Sequence, residues 1–197
     1  MNIIIAGVGG QGTILASKIL AAAALKSGFS PMTGETIGMS QRGGCVTSHV
    51  RTDKAASPYI PMGEADLLLG FELCESARNI PALKSGGKAV VNLKRINPVT
   101  VSLKKAEYDG EKMKEYISEN SDCVFTDALT IAEECGSAKT INIVLIGVAL
   151  GMGFFNMDIQ SIKSAIEKNV PPKFLEMNIR AFEAGIKAGR EELKNEK

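Results

Sequence analysis

The sequence predicts an α/β fold: a mainly parallel, Rossmann-like sheet with helices on both faces and a helical C-terminal region. Three observations carry this. Ile3-Ile4-Ile5-Ala6 runs into Gly7-Val8-Gly9-Gly10-Gln11-Gly12 and then into an alanine-rich apolar stretch at 13–25, the order of strand, glycine turn and helix that a phosphate-binding βα unit requires. Short apolar runs then alternate with segments of helical composition as far as Thr126, the pattern of a parallel sheet crossed by helices. From Ala128 onward the patterned segments all read as helices.

Within the glycine turn, Gly7 is expected to permit the bend, Gly9 to let backbone N–H groups approach a ligand, and Gly12 to let the helix pack closely on the strand. The helix start would offer unpaired N–H donors and a partial positive charge to an anion. Gly10 and Gln11 complete this first candidate site. A polar, glycine-rich segment follows at 33–44. Glu35 lies near the distance at which a dinucleotide reader carries its ribose-binding acid. The segment 30–38 lacks the continuous apolar run of a central parallel strand, which argues against NAD.

The β-branched run at 45–51 reads as a strand, and 65–71 as a second buried strand. Residues 72–83 supply a helix with Pro81 near its end. Ser85-Gly86-Gly87 marks a turn before a strand at 88–93, and 99–103 alternates as an edge or hairpin strand does. A helix at 111–119 and a strand at 123–126 follow. Four helices are expected at 128–135, 140–152, 158–168 and 173–194, with Asp158 as an N-cap and Pro171-Pro172 separating the last two. The partly amphipathic stretch 181–190 reads as a helix docked on the core rather than as a subunit contact. No repeat, linker or boundary interrupts the chain, so one domain spanning 1–197 is expected.

With 23 basic and 22 acidic residues the formal charge is +1, which gives no general attraction to nucleic acid or to an acidic membrane surface. The longest apolar stretch, 143–155, is shorter than the roughly 20 residues that cross a bilayer; it reads as a buried helix. Cys45, Cys74, Cys123 and Cys135 form no CxxC pair, and the single histidine is His49. An iron–sulfur or structural zinc site built by this chain alone is not expected. Cys74 and Cys123 read as small core residues beside apolar runs. The apolar run after Met1-Asn2 is ended by Gly7, so no secretory leader is expected and the thiols should stay reduced in the cytoplasm. His49 reads as a partly buried, satisfied strand residue.

A second motif, Gly38-Met39-Ser40-Gln41-Arg42-Gly43-Gly44-Cys45, sets a guanidinium fork among freely approachable backbone, which suits phosphate or carboxylate recognition. It misses a nucleophile elbow, and Gly12-Thr13 lacks the preceding lysine of a P-loop. Gly7 to Gly12, Gly34-Glu35-Thr36 and Ser40-Gln41-Arg42-Gly43-Gly44, in this order and spacing, together with Asn178-Ile179-Arg180-Ala181-Phe182-Glu183-Ala184-Gly185 near the end, resemble the gamma-type subunit of the 2-oxoacid:ferredoxin oxidoreductases, and within that family its indolepyruvate branch.

The resemblance implies a division of labour. Such complexes decarboxylate a 2-oxoacid oxidatively with thiamine diphosphate, pass electrons through iron–sulfur clusters to ferredoxin, and release an acyl-coenzyme A. Thiamine diphosphate, its Mg ion and the clusters are expected in a larger partner subunit, because Tyr108-Asp109-Gly110 only partly echoes a thiamine diphosphate motif and cluster ligands are missing. No catalytic or metal-binding residue is assigned to this chain, and no cofactor is expected on it alone. Gly7, Gly9, Gly10, Gln11 and Gly12, with Ser40, Gln41, Arg42, Gly43 and Gly44, are the candidates for supporting coenzyme A or substrate at a shared active-site wall. A gamma subunit acting on pyruvate or a branched-chain oxoacid, a stand-alone Rossmann-type nucleotide-binding protein or dehydrogenase, and a purely structural subunit remain the alternatives at this point.

Overall fold

The structure, a computed structural model, describes residues 1–38, 44–97, 101, 103 and 107–195. Six strands form one sheet: β1 (Asn2–Val8), β2 (Met32–Ile37), β3 (Cys45–Arg51), β4 (Ala65–Gly70), β5 (Leu83–Asn92) and β6 (Asp122–Thr126), in the spatial order β2-β3-β1-β4-β5-β6. β1, β4, β5 and β6 run parallel, with Ile3 opposite Leu67 and Val90 opposite Val124. β3 returns antiparallel against β1, from Asn2–Arg51 to Val8–Cys45, and β2 lies antiparallel outside it.

The helices are α1 (Thr13–Lys26), α2 (Leu73–Asn79), α3 (Gly110–Asn120), α4 (Ala128–Glu134), α5 (Ile141–Gly151), α6 (Ile159–Asn169) and α7 (Pro172–Asn195). Strand residues alternate between the two faces, as the two-residue repeat of a pleated strand demands. Ile3, Ile5, Leu67 and Leu69 are buried in the layer that holds Ile19 and Leu20 of α1, Val144 of α5 and Phe182 of α7. Ile4, Ala6, Leu68 and Val91 are buried on the other face with Leu73 and Cys74 of α2 and Ile117 of α3. The predicted α/β sheet with helices on both faces is the one observed.

Local chemistry sets several helix starts. Asp109, Asp127 and Asp158 each accept a hydrogen bond from a backbone N–H in the first turn, of Lys112, Thr130 and Ser161 respectively. α7 begins at Pro172, where a missing N–H costs nothing. α5 is buried at every position except Leu150, as its continuous apolar sequence implies. Among the described residues no helix is long and apolar enough to cross a membrane. α7 lies along α5, and the approach depends on glycine: a Cβ at Gly185 or Gly189 would collide with the carbonyl of Val144 or Val148, and one at Gly147 or Gly151 with the carbonyl of Phe182 or Ile186. The C-terminal helix is therefore docked on the core.

Three expectations are corrected. The polar, glycine-rich segment, for which no strand is expected, begins within strand β2; an edge strand covered on one side needs no apolar run, and its one buried residue, Gly34, sits against Pro58 and Tyr59. Ser85-Gly86-Gly87 is not a turn ahead of a strand. It is absorbed within β5, where Gly86 takes φ +73° and the register against β4 shifts between Ala65 and Leu67, the behaviour of a bulge. Of the segment 99–103, Val101 is helical and Leu103 lies in a turn, not in the sheet; Val99, Thr100 and Ser102 lie outside the described residues.

Candidate functional site

β1 lies where the sheet's connections diverge, since the chain leaves it through α1 toward β2 at one edge and the parallel strands add on the other side. Ligands of open α/β sheets bind beyond the carboxyl ends of the strands at such a switch point. The turn that follows Val8 occupies it.

The turn is held by its own glutamine. Gln11 Oε1 accepts the Val8 N–H at 2.8 Å, and Gln11 Nε2 donates to the Phe71 carbonyl at 2.9 Å, tying the ends of β1 and β4 together. The bend falls at Gly10, with φ +102° and open space around it. Gly7 stays in the strand; a Cβ there would lie 2.7 Å from Gln11 Oε1 and 3.0 Å from Phe71 Cβ, so its smallness makes room for the glutamine. The Gly9 N–H donates to the Gly44 carbonyl at 2.9 Å and is not directed at a ligand. Gly12, at φ +79°, caps α1. A Cβ on it would meet Asn142 Nδ2 at 2.7 Å, and that amide donates to the Gly12 carbonyl at 3.3 Å. Gly12 thus admits the start of α5, not the strand as expected.

The second motif meets the first through Gly44. Ser40, Gln41, Arg42 and Gly43 lie outside the described residues. Glu35 accepts from Ser17 Oγ at 3.1 Å on an edge strand two places from β1, where no dinucleotide ribose would reach it. His49 is half-buried: Nδ1 accepts the Ile60 N–H at 3.3 Å, and Tyr59 packs edge-on to the ring. Burial holds its imidazole below the ordinary value against the opposing pull of Glu35.

Beyond the turn opens a cleft of about 320 Å³. Gly9, Gly10 and Gln11 form one wall, and Lys94, Ile96 and Lys139 stand across it. α1 begins without a side-chain cap and with no acid in its first turn, so its first amides keep their partial positive charge. Two lysines and no carboxylate are among the lining residues, which gives the cleft a cationic character. Neither lysine is legible from a motif. Lys94 stands just past the end of β5, where strand-end ligands are bound; that position was the one available signal. Lys139 sits in a single 3₁₀ turn, and only the packing of α5 against α1 brings it near.

Among the described residues, the cysteines and Asp109 are not gathered as ligands of the implied cofactors. Cys45, Cys74, Cys123 and Cys135 are all unpaired and fall on β3, α2, β6 and the end of α4, too scattered to ligate a cluster. Burial pushes the thiols of Cys74 and Cys123 up, away from the thiolate a metal requires. Among the described residues one group, Glu72, Cys74 and Glu75, gathers three ligand-type atoms. Its carboxylates are committed to hydrogen bonds and to Arg78. Asp109, in the partial thiamine diphosphate echo, caps α3 and pairs with Lys112.

Sheet, switch-point turn and cleft define a Rossmann-like α/β protein with a cationic cleft at its strand ends. Residues 2–188 match the family model of pyruvate ferredoxin/flavodoxin oxidoreductase. The chain is 41% identical over 196 residues to the indolepyruvate oxidoreductase subunit IorB of Pyrococcus horikoshii, with 98% of this chain and 97% of that one covered, and 41% identical to the same subunit of Thermococcus kodakarensis over the same shares. The crystal structure of a keto/oxoacid ferredoxin oxidoreductase gamma subunit from Geobacter sulfurreducens superimposes with a TM-score of 0.70 at 25% identity, covering 96% of this chain and 98% of that one. The chain belongs to the pyruvate ferredoxin/flavodoxin oxidoreductase family, as a small subunit of a 2-oxoacid:ferredoxin oxidoreductase.

Proposed function

We propose that this chain serves an indolepyruvate-type ferredoxin oxidoreductase and that its strand-end cleft receives the pyrophosphate of coenzyme A. The observation that carries the reading is the convergence of Lys94 and Lys139 on the glycine turn, in a cleft with no lining carboxylate. Coenzyme A delivers the thiol that accepts the acyl group, and its diphosphate is a compact double anion. Lysines meet such a group as point charges, and the α1 amides add fixed dipoles. The chain positions the co-substrate and walls the active site; thiamine diphosphate, Mg and the clusters are carried by the larger subunit, which passes electrons to ferredoxin. The arylpyruvate preference rests on the two 41%-identical relatives. Residues 1–197 act as one domain of a cytoplasmic complex, and the four unpaired cysteines agree with a reducing compartment.

The test uses the complex purified with its larger subunit. Lys94→Ala and Lys139→Ala should each raise the KM for coenzyme A about tenfold, the loss of roughly 1.4 kcal/mol of charge-assisted contact, while the KM for the oxoacid stays put. Arg42→Ala, chosen on its sequence motif, belongs in the same series. Unchanged coenzyme A kinetics in both lysine variants would overturn the assignment. Comparing indolepyruvate, pyruvate and a branched-chain oxoacid in dye reduction by the native complex tests the substrate; a preference for either of the latter two removes the aryl reading.

A further inference from the structure

The two residues that follow β4 reach both walls of the cleft. Phe71 donates its N–H to the Ala6 carbonyl at 2.7 Å, and its own carbonyl accepts Gln11 Nε2 at 2.9 Å and Asn92 Nδ2 at 3.1 Å. Glu72 is 1% exposed. Its Oε2 accepts the Glu75 N–H at 3.0 Å and so caps α2. Its Oε1 accepts the Ile96 N–H at 3.2 Å and the Tyr108 phenol at 2.6 Å.

A cap alone needs no glutamate. Serine, threonine, aspartate and asparagine are the residues that favour that position, and their short side chains satisfy one helix start. The longer carboxylate caps α2 with one oxygen and extends the other to the segment after β5. Among the described residues no cation pairs with Glu72; hydrogen-bond donors alone compensate it, one of them, the Ile96 N–H, supplied by that distant segment and another by Tyr108 ahead of α3. Asn92 and Ile96 are thereby both anchored to the Phe71-Glu72 dipeptide, and Lys94 lies midway between the anchors. Arg95, the next residue, lies over the Tyr108 ring, 4.3 Å from its centroid. Burial and the neighbouring carboxylate push the Tyr108 phenol up, which keeps it a donor.

We infer that Glu72 is a positioning residue for the coenzyme A site: without touching the ligand, it fixes the 92–96 segment so that the Lys94 ammonium faces the glycine turn. The inference rests on the reading of the cleft given above.

A double-mutant cycle in the purified complex tests it, with the KM for coenzyme A as the readout. Lys94→Ala should raise that KM about tenfold in the native background and less than about twofold in Glu72→Ala, because a lysine already displaced has little left to lose. Glu72→Gln keeps an acceptor oxygen for Ile96 and Tyr108 and should restore most of the Lys94 effect. A role confined to stability would lower the melting temperature and leave the Lys94 effect at its native size. If Glu72→Ala fails to assemble, Tyr108→Phe takes its place in the cycle and should shrink the Lys94 effect about threefold. A Lys94 effect that survives undiminished in whichever of these backgrounds assembles overturns the inference and leaves the cleft reading intact. No Lys94 effect in the native background removes the cleft reading, and the inference with it.

Discussion

The turn after β1 and the crossing of α5 with α7 are both built on glycine, and they use it for opposite purposes. At the crossing, Gly147, Gly151, Gly185 and Gly189 are needed because another helix's backbone occupies the space a side chain would take. At the turn, Gly10 has open space around it and is needed for its backbone conformation, while Gly7 and Gly12 are packed by side chains: Gln11 and Phe71 against Gly7, Asn142 against Gly12. A glycine-rich motif is therefore no measure of how much backbone a ligand can touch. In this turn the Gly9 amide is already bound to Gly44, and the Gln11 side chain, which a motif-based reading assigns to a ligand, is bound at both ends to strands. The cationic side chains of this cleft, Lys94 and Lys139, come from outside the motif.

The largest effect that could break this contrast is steric. Gly185→Val places a branched side chain on the Val144 carbonyl and should leave no cooperatively folded protein, since overpacking costs roughly 1–3 kcal/mol even where side chains can yield and here the obstacle is backbone. Gly10→Ala, which meets no atom within 4 Å, should cost only the left-handed strain of about 1–2 kcal/mol. Thermal unfolding followed by circular dichroism measures both. Equal losses would mean that the two regions do not differ in kind.

Next in size is Gln11→Ala, which leaves the Val8 N–H unpartnered and one donor to Phe71 lost. It should cost about 1–3 kcal/mol, a fall in melting temperature of roughly 2–4 °C for each kcal/mol in a chain of this size. A ligand-facing glutamine would instead leave the melting temperature unchanged and alter only binding, which would restore the motif-based reading.

The smallest effect lies on β3, the strand between β1 and the edge strand β2. Burial lowers the His49 pKa in the folded chain, so the unfolded chain binds the proton more readily, near its ordinary value of about 6.5. The stability contributed by neutral His49 is complete above that pH and is lost as pH falls through the lowered folded value. Denaturant midpoints between pH 8 and pH 5 should therefore decline less steeply for His49→Gln than for the native chain. Parallel profiles would show that the imidazole makes no such contribution.

Much of the fold was legible because its signals are local. The continuous apolar run of Ile3 to Ala6, the aspartate cap at 158 and the apolar run of α5 each act over a few residues, and each of these elements formed as expected. β2 escaped because an edge strand buries too little to need an apolar pattern. The Ser85-Gly86-Gly87 turn became a bulge because neighbouring β4 offered continued pairing on both sides of it. The candidate site was half legible. The turn at 7–12 was found and its Gly44 contact is present, whereas the duties of Gly7, Gly9 and Gly12 were assigned to the wrong neighbours, since those neighbours come from Phe71, Gly44 and Asn142.

The sequence by itself determined the α/β alternation, the position of the glycine turn at the end of the first strand and the absence of a cluster-ligand motif, because each follows from residue types at short spacing. Only the tertiary structure decided that Lys94 and Lys139 stand across one cleft from the turn and that Glu72 links α2 to the segment bearing Lys94. Those relations depend on the order of the strands and the seating of α5 against α1, which bring together residues tens of positions apart, and no short-range pattern encodes which distant donor a buried carboxylate will meet.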